Sequence, residues 1–216
     1  MSSTPNRQAR RRAETRAKLL KSAYSLLSEK GGADTTVADI TAGADVGTGT
    51  FYNHFSSREE IFQTTAEESL EKVGQSLDVS VSRLHDPAEV WSASLRYLVR
   101  YALSERVWGW FFVNMGAAHP ALMSTFGPRA HRDLSRGVKE GRMMIDDIDV
   151  AVVCAFGALY GTIQKGLTMD SHQSLDSTFA RAMLRMVGVS ADEAQQIAAL
   201  PLPELSISTL EFQNTE

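Results

Sequence analysis

Cysteine is almost missing from this sequence: Cys154 stands alone among 216 residues. A single thiol excludes an internal disulfide framework, so the core must hold the fold, and a reducing compartment is the natural setting. Cys154 lies in the apolar run from Val152 to Phe156 and reads as a buried thiol. Long hydrophobic runs are missing as well. The longest, Val150 to Ile163, falls short of the roughly 20 residues that span a bilayer. No apolar segment follows Arg10, Arg11 and Arg12 as a secretory signal requires. The expectation is a soluble, cytoplasmic chain with no membrane partner. Nor is there a nucleophile elbow, a phosphate-cradling glycine loop or a paired-carboxylate arrangement, so no enzyme is expected. His119, His131 and His172 are scattered, and His131 and Asp133 lie two apart where a shared helix face needs four. Metal and cofactor are therefore not expected.

What is present is unevenly charged. The net charge is −4, yet residues 1–21 hold seven basic residues against one acid, Glu14. Everything after residue 66 sums to −6. A basic head on an acidic body confines any electrostatic footprint for nucleic acid to one end.

Apolar residues recur at spacings of three and four, and no segment sustains the alternation of a half-buried strand, so the chain reads as all-α. Residues 1–12 read as a flexible arm. A first helix is expected from about Ala13 to Lys30, with Leu20, Ala23, Tyr24 and Leu27 as its stripe and Gly31-Gly32 as its stop. Thr35 or Thr36 should cap a short helix from Val37 to about Gly43. A turn at Asp45-Val46-Gly47 leads to a third short helix, Thr48 to His54. Ser56 or Ser57 then caps a long helix whose stripe is Phe62, Ala66, Leu70, Val73 and Leu77. Further helices are expected from Asp86-Pro87 to about Glu105, Val107 to Met115, Pro120 or Ala121 to Gly141, the acids at 146–149 to about Met169, Leu175 to Val187, and Asp192 to Leu200.

The segment from Thr35 to Glu59 carries the function. Two short helices meet at a tight turn, and the second is too short and too polar to be a core helix. That is the geometry of a helix-turn-helix reader. Its leading residues, Gly47, Thr48, Gly49 and Thr50, are small enough to enter a major groove about 12 Å wide. Phe51 and Phe55, four apart, anchor it inward, while Tyr52 and His54 point outward.

These residues resemble the tetracycline-repressor (TetR) family of bacterial regulators. The likeness runs over about Arg16 to Phe62: Thr35-Thr36-Val37-x-Asp39-Ile40, then Gly49-Thr50-Phe51-Tyr52-x-His54-Phe55, then Ser57-Arg58-Glu59. It implies a homodimer that binds a palindromic site on double-stranded DNA and is released by a small-molecule effector. By residue, it implies that Thr36, Tyr52, His54 and Arg58 contact phosphates and that Gly47, Thr48, Gly49 and Thr50 face the groove. Arg10 to Arg12 would reach a neighbouring groove or phosphate. Two departures stand out: Asp45 replaces the usual turn glycine, and Gly47 the usual serine cap. The implied division is a basic arm over 1–12, a three-helix helix-turn-helix domain over 13–58, a helical ligand-binding and dimerisation domain over 59–202, and a tail over 203–216.

In the body, Trp108, Trp110, Phe111, Phe112 and Met115 form an aromatic cluster that reads either as plain core or as the wall of a cavity. With Tyr97 and Tyr101 before it and Phe126 after it, the expected pocket is mostly apolar and suits a hydrophobic or amphipathic effector. Gly157 and Gly161, with Ala151, Ala155 and Ala158, give one helix a thin face for close helix packing between subunits. The competing reading is a helical ligand-binding protein or enzyme that kept the fold without specific DNA binding.

Overall fold

The computed structural model describes residues 7–116, 119–169 and 173–203. Ten helices follow in order: α1 (Arg7–Lys30), α2 (Val37–Gly43), α3 (Thr48–Tyr52), α4 (Arg58–Val81), α5 (Pro87–Ser104), α6 (Arg106–Met115), α7 (Pro120–Lys139), α8 (Ile148–Thr168), α9 (Leu175–Met186) and α10 (Ala191–Ala199). Among the described residues there is no strand. His172 and residues 204–216 of the tail lie outside the described residues.

The first three helices make a small head around its own core of Leu19, Leu20, Ala23, Ile40, Phe51, Phe55 and Ile61. Local chemistry sets its corners. Thr36 caps α2: its hydroxyl accepts from Asp39 N at 3.1 Å while its own N–H donates to the Asp39 carboxylate at 2.9 Å. Those bonds, chiefly the one from the Thr36 backbone, with Lys30 behind them, hold Asp39 at about 2. The turn before α3 places Asp45 at φ +55°, the left-handed conformation that aspartate tolerates better than most side chains. Aspartate is thus compatible with the conformation this turn needs. One expectation fails here. Arg7 to Arg12 are not an arm but the first turns of α1. Arginine, glutamine and alanine are good helix formers, and Arg10 pairs with Glu14 one turn on at 2.9 Å. Without an apolar stripe, that helix was invisible to periodicity.

α4 leaves the head and enters the body, burying Ile61, Ala66, Leu70, Val73, Leu77 and Val81 along one side. In the body α5 is the hub, packed against α4, α6, α7, α8, α9 and α10. Asp86 caps it and Pro87 fills its first position. α8 is long and apolar enough, by length and composition alone, to cross a bilayer, with a mean hydropathy of 1.4, a test that a core helix also passes. Its Ala151, Val152, Ala155, Phe156, Leu159 and Ile163 face the bundle. The opposite stripe, Val150, Val153, Cys154, Gly157 and Gly161, is exposed in the single chain. Cys154 is therefore not the buried thiol its neighbours implied. An apolar helix does not say which of its sides its own chain covers.

Candidate nucleic-acid interface and internal cavity

α3 is held from beneath and open above. Phe51 and Phe55 are buried with ring centroids 5.9 Å apart, and Tyr52 meets Phe51 edge-on at 5.2 Å while remaining 58% exposed. Gly47 is the N-cap and makes no side-chain cap bond. Thr48 and Gly49 are exposed, and Thr50 is half-buried. A Cβ added at Gly47 or Gly49 would meet nothing within 4 Å, so nothing in the fold demands a glycine at either place. His54, half-buried, has its pKa lowered by burial first and then by Arg12 and Arg16, which favours the neutral ring near pH 7. Arg12 reaches the same corner, donating to the Asn53 carbonyl at 3.4 Å. Arg58 is turned inward instead: it lies over Phe62 at 5.7 Å and donates to the Thr35 carbonyl at 3.1 Å and to Glu59 at 3.1 Å. Thr36 is exposed but already engaged as a cap.

The body contains a small cavity of about 40 Å³ between α4, α5, α7 and α8, walled by Leu77, Val81, Trp91, Leu95, Phe126 and Phe156. Its polar edge is charged. Asp78, Arg129 and Asp133 line it. Arg129 donates from Nε to Asp78 at 2.8 Å and from its two terminal nitrogens to both oxygens of Glu71 at 2.8 and 3.0 Å. Arg132 adds a bond to Asp78 at 3.0 Å and another to Asp133 at 2.9 Å. The Glu71 bond, then Asp78, raises the Arg129 pKa, and the same contact lowers that of Glu71. Gly74 makes room for this: a Cβ there would come within 2.9 Å of the Arg129 guanidinium carbon. The indole N–H of Trp91 is buried with no partner, so one donor in the cavity wall is unused. A larger, open groove of about 710 Å³ lies elsewhere, between α5, α9 and the chain after α10, and includes Tyr97, Arg100, Tyr101 and Asp176.

Residues 19–65 match the family described as bacterial regulatory proteins, tetR family, and residues 86–200 match tetracyclin repressor-like, C-terminal domain. The chain belongs to the TetR family. A solved structure of RolR in complex with resorcinol is 52% identical, covering 92% of this chain and all of that one, with a TM-score of 0.77. RolR without ligand aligns at a TM-score of 0.74 over 88% of this chain. The HTH-type transcriptional regulator CymR of Pseudomonas putida is 24% identical over 175 residues, 81% of this chain and 78% of CymR.

As a TetR-family transcriptional regulator, the chain carries its helix-turn-helix in α2 and α3, with Thr48, Gly49 and Tyr52 exposed on α3 and Thr50 half-buried. The body residues expected around a pocket are scattered. Trp108, Phe111 and Phe112 are buried in the core, with Trp108 and Phe112 rings stacked at 5.5 Å. They and Met115 line neither the small cavity nor the open groove. Tyr97 and Tyr101 belong to the open groove, and only Phe126 lines the α4–α7 cavity. Asp78, Trp91, Arg129 and Asp133 were missed. The signal was there: Arg129, Arg132 and Asp133 fall at i, i+3 and i+4, and Asp78 interrupts the apolar side of α4 beside Leu77.

Proposed function

We propose that this regulator is a cytoplasmic homodimer that occupies a palindromic operator and leaves it when a small hydroxylated aromatic molecule binds the α4–α7 cavity. One observation carries the reading: the polar edge of that cavity joins Asp78 on α4, the helix that continues into the head, to Arg129 and Asp133 on α7. A ring would stack among Trp91, Phe126 and Phe156, and its hydroxyls would find Asp78, Arg129, Asp133 and the unused Trp91 N–H. Resorcinol, which the 52%-identical RolR holds, has that chemistry. The open groove is larger, but none of its lining residues lies on α4 or α7.

Volume supplies the mechanism. Forty cubic ångströms is about the share of one water, whereas a benzene-sized guest occupies a cavity of roughly 150 Å³. A ring-sized ligand would therefore favour a state in which the cavity walls have moved apart, and that differential affinity would shift the head through α4. Each dimer would set two α3 helices about 34–36 Å apart, one turn of DNA. The exposed α8 stripe supports dimerisation, because Gly157 and Gly161 leave open space and Val150 and Val153 are more than half exposed. The action is binding and release, with no catalytic step.

The test is selection from random DNA followed by titration with resorcinol. An inverted repeat, with binding lost on resorcinol addition and a dimer by sedimentation, is the expected result. Tyr52→Ala should weaken all sites alike, while Thr48→Ala should change base preference. Selection of no inverted repeat, or binding indifferent to resorcinol and related phenols, overturns the corresponding half of the reading.

A further inference from the structure

The head is tied to the body at a second place, away from α4. α1 packs along α6, and α6 is apolar throughout apart from Arg106 at its start and Asn114 in its last turn. The side-chain nitrogen of Asn114 donates to the carbonyls of Leu27 at 3.1 Å and Ser28 at 3.0 Å. Both belong to the last turn of α1, where intrahelical partners run out; the Leu27 carbonyl also accepts from the Gly31 N–H at 3.1 Å. Beyond them Gly31, at φ +75°, ends the helix, with the Asn114 Cβ 3.7 Å from where its own Cβ would stand. One turn earlier on α6, Phe111 meets Tyr24 of α1 at a centroid distance of 4.9 Å. The ring contact resists separation, but apolar contact is non-directional. Two hydrogen bonds to successive carbonyls fix an angle.

We propose that Asn114 is the positioning residue that sets the angle of the reading head on the body, and with it the half-site spacing that the dimer accepts. The spacing part rests on the dimeric, palindrome-reading function proposed above. The clamp itself does not. α6 packs against α5 and α8, whose Trp91 and Phe156 line the effector cavity, so the clamp gives that cavity a second path to α3, through α6 and α1.

The experiment uses the full-length protein with Asn114→Ala, Asn114→Asp and Asn114→Gln, in the absence of any small molecule. Aspartate is isosteric but, ionised, has no N–H to donate, and its charge opposes the carbonyl end of α1. Amide exchange over residues 27–36 should rise about ten-fold in the Ala and Asp variants, the scale of one or two ordinary hydrogen bonds. Discrimination between operators differing by one base pair in half-site separation should fall by a similar factor, with half-site sequence unchanged. Glutamine, which keeps the donor, should restore part of both. A merely structural asparagine would lower the melting temperature and leave spacing preference intact, and that result overturns the proposal. If Ala does not fold, Asp carries the comparison. If the parent protein shows no spacing preference, the dimer reading fails by itself, and unchanged exchange at 27–36 in folded Asn114→Asp overturns the clamp independently.

Discussion

The head and the body place their working residues on opposite terms with stability. In the head the α3 groups proposed for DNA are surplus to the fold: Thr48, Gly49 and Tyr52 stand exposed above a core made by Phe51, Phe55 and Ile40. In the body the groups offered to a ligand are themselves ties between helices. Arg129 joins α7 to α4 through Glu71 and Asp78, and Trp91 is buried among the core residues. A surface that must meet an external partner can be built on top of a fold, whereas a switch must be part of what it switches. It follows that substitutions at the head's site should separate binding from stability, and substitutions at the body's site should not.

The largest effect falls on neither site. Trp108 and Phe111 are 1% and 0% exposed, and truncation of a buried aromatic costs about 3–5 kcal/mol through lost transfer energy and the cavity left behind. Trp108→Ala and Phe111→Ala should each lower the urea-unfolding free energy by that amount. A loss under 1 kcal/mol together with a lost ligand response would return this cluster to the role of pocket wall.

That cluster also shows where the sequence stops being informative. Beyond the first turns of α1, the head was legible because its signals are local: a capping box four residues long, a turn residue at positive φ, two phenylalanines four apart. Helix limits in the body were legible for the same reason, through Asp86-Pro87 and Gly188. The cavity was not, because it is defined by which faces of α4, α5, α7 and α8 meet, and aromatic richness marks a buried helix whether its neighbour is a side chain or a ligand. Charge pairing across 51 residues, from Asp78 to Arg129, leaves no periodic trace.

Next in size is Arg129→Met, which keeps the stem and removes the charge. Glu71 loses its guanidinium partner at a half-buried site and Asp78 keeps only Arg132, and a loss of about 1–3 kcal/mol is expected. Resorcinol affinity by calorimetry should fall with it, at least about ten-fold, since the same guanidinium serves both purposes. Stability lost with ligand affinity retained would break the contrast between head and body.

A smaller effect follows from His54. Its folded pKa lies below the ordinary value of 6.5, so as pH falls the unfolded chain takes up the proton first. Stability is therefore lost as pH drops through about 6.5 and is fully present above it. On DNA the sign reverses, because a phosphate beside the ring favours the charged form; operator affinity should rise between pH 7.5 and 6. His54→Gln should flatten both dependences. Denaturation and fluorescence-anisotropy titrations across that range check them, and slopes unchanged in the variant would remove His54 from the interface.

The smallest change is the sharpest test, because it should move stability and binding in opposite directions. Gly49 lies inside α3 at an ordinary helical φ, exposed, with no atom within 4 Å of where a Cβ would sit. Glycine is a poor choice at such a position, since it gives the unfolded chain freedom that folding must remove. Gly49→Ala should therefore raise the unfolding free energy by about 0.5 kcal/mol. If the glycine exists so that the helix backbone can approach DNA, the same methyl should push α3 outward and weaken operator binding, about ten-fold if one close polar contact is lost. Gly47→Ala is the control: at an N-cap, alanine is worse than glycine, so no gain in stability is expected there. A Gly49→Ala protein that is stabilised and binds normally would mean the α3 face stands off the groove at this position. One that is destabilised would mean the head, like the body, has built its site into its fold.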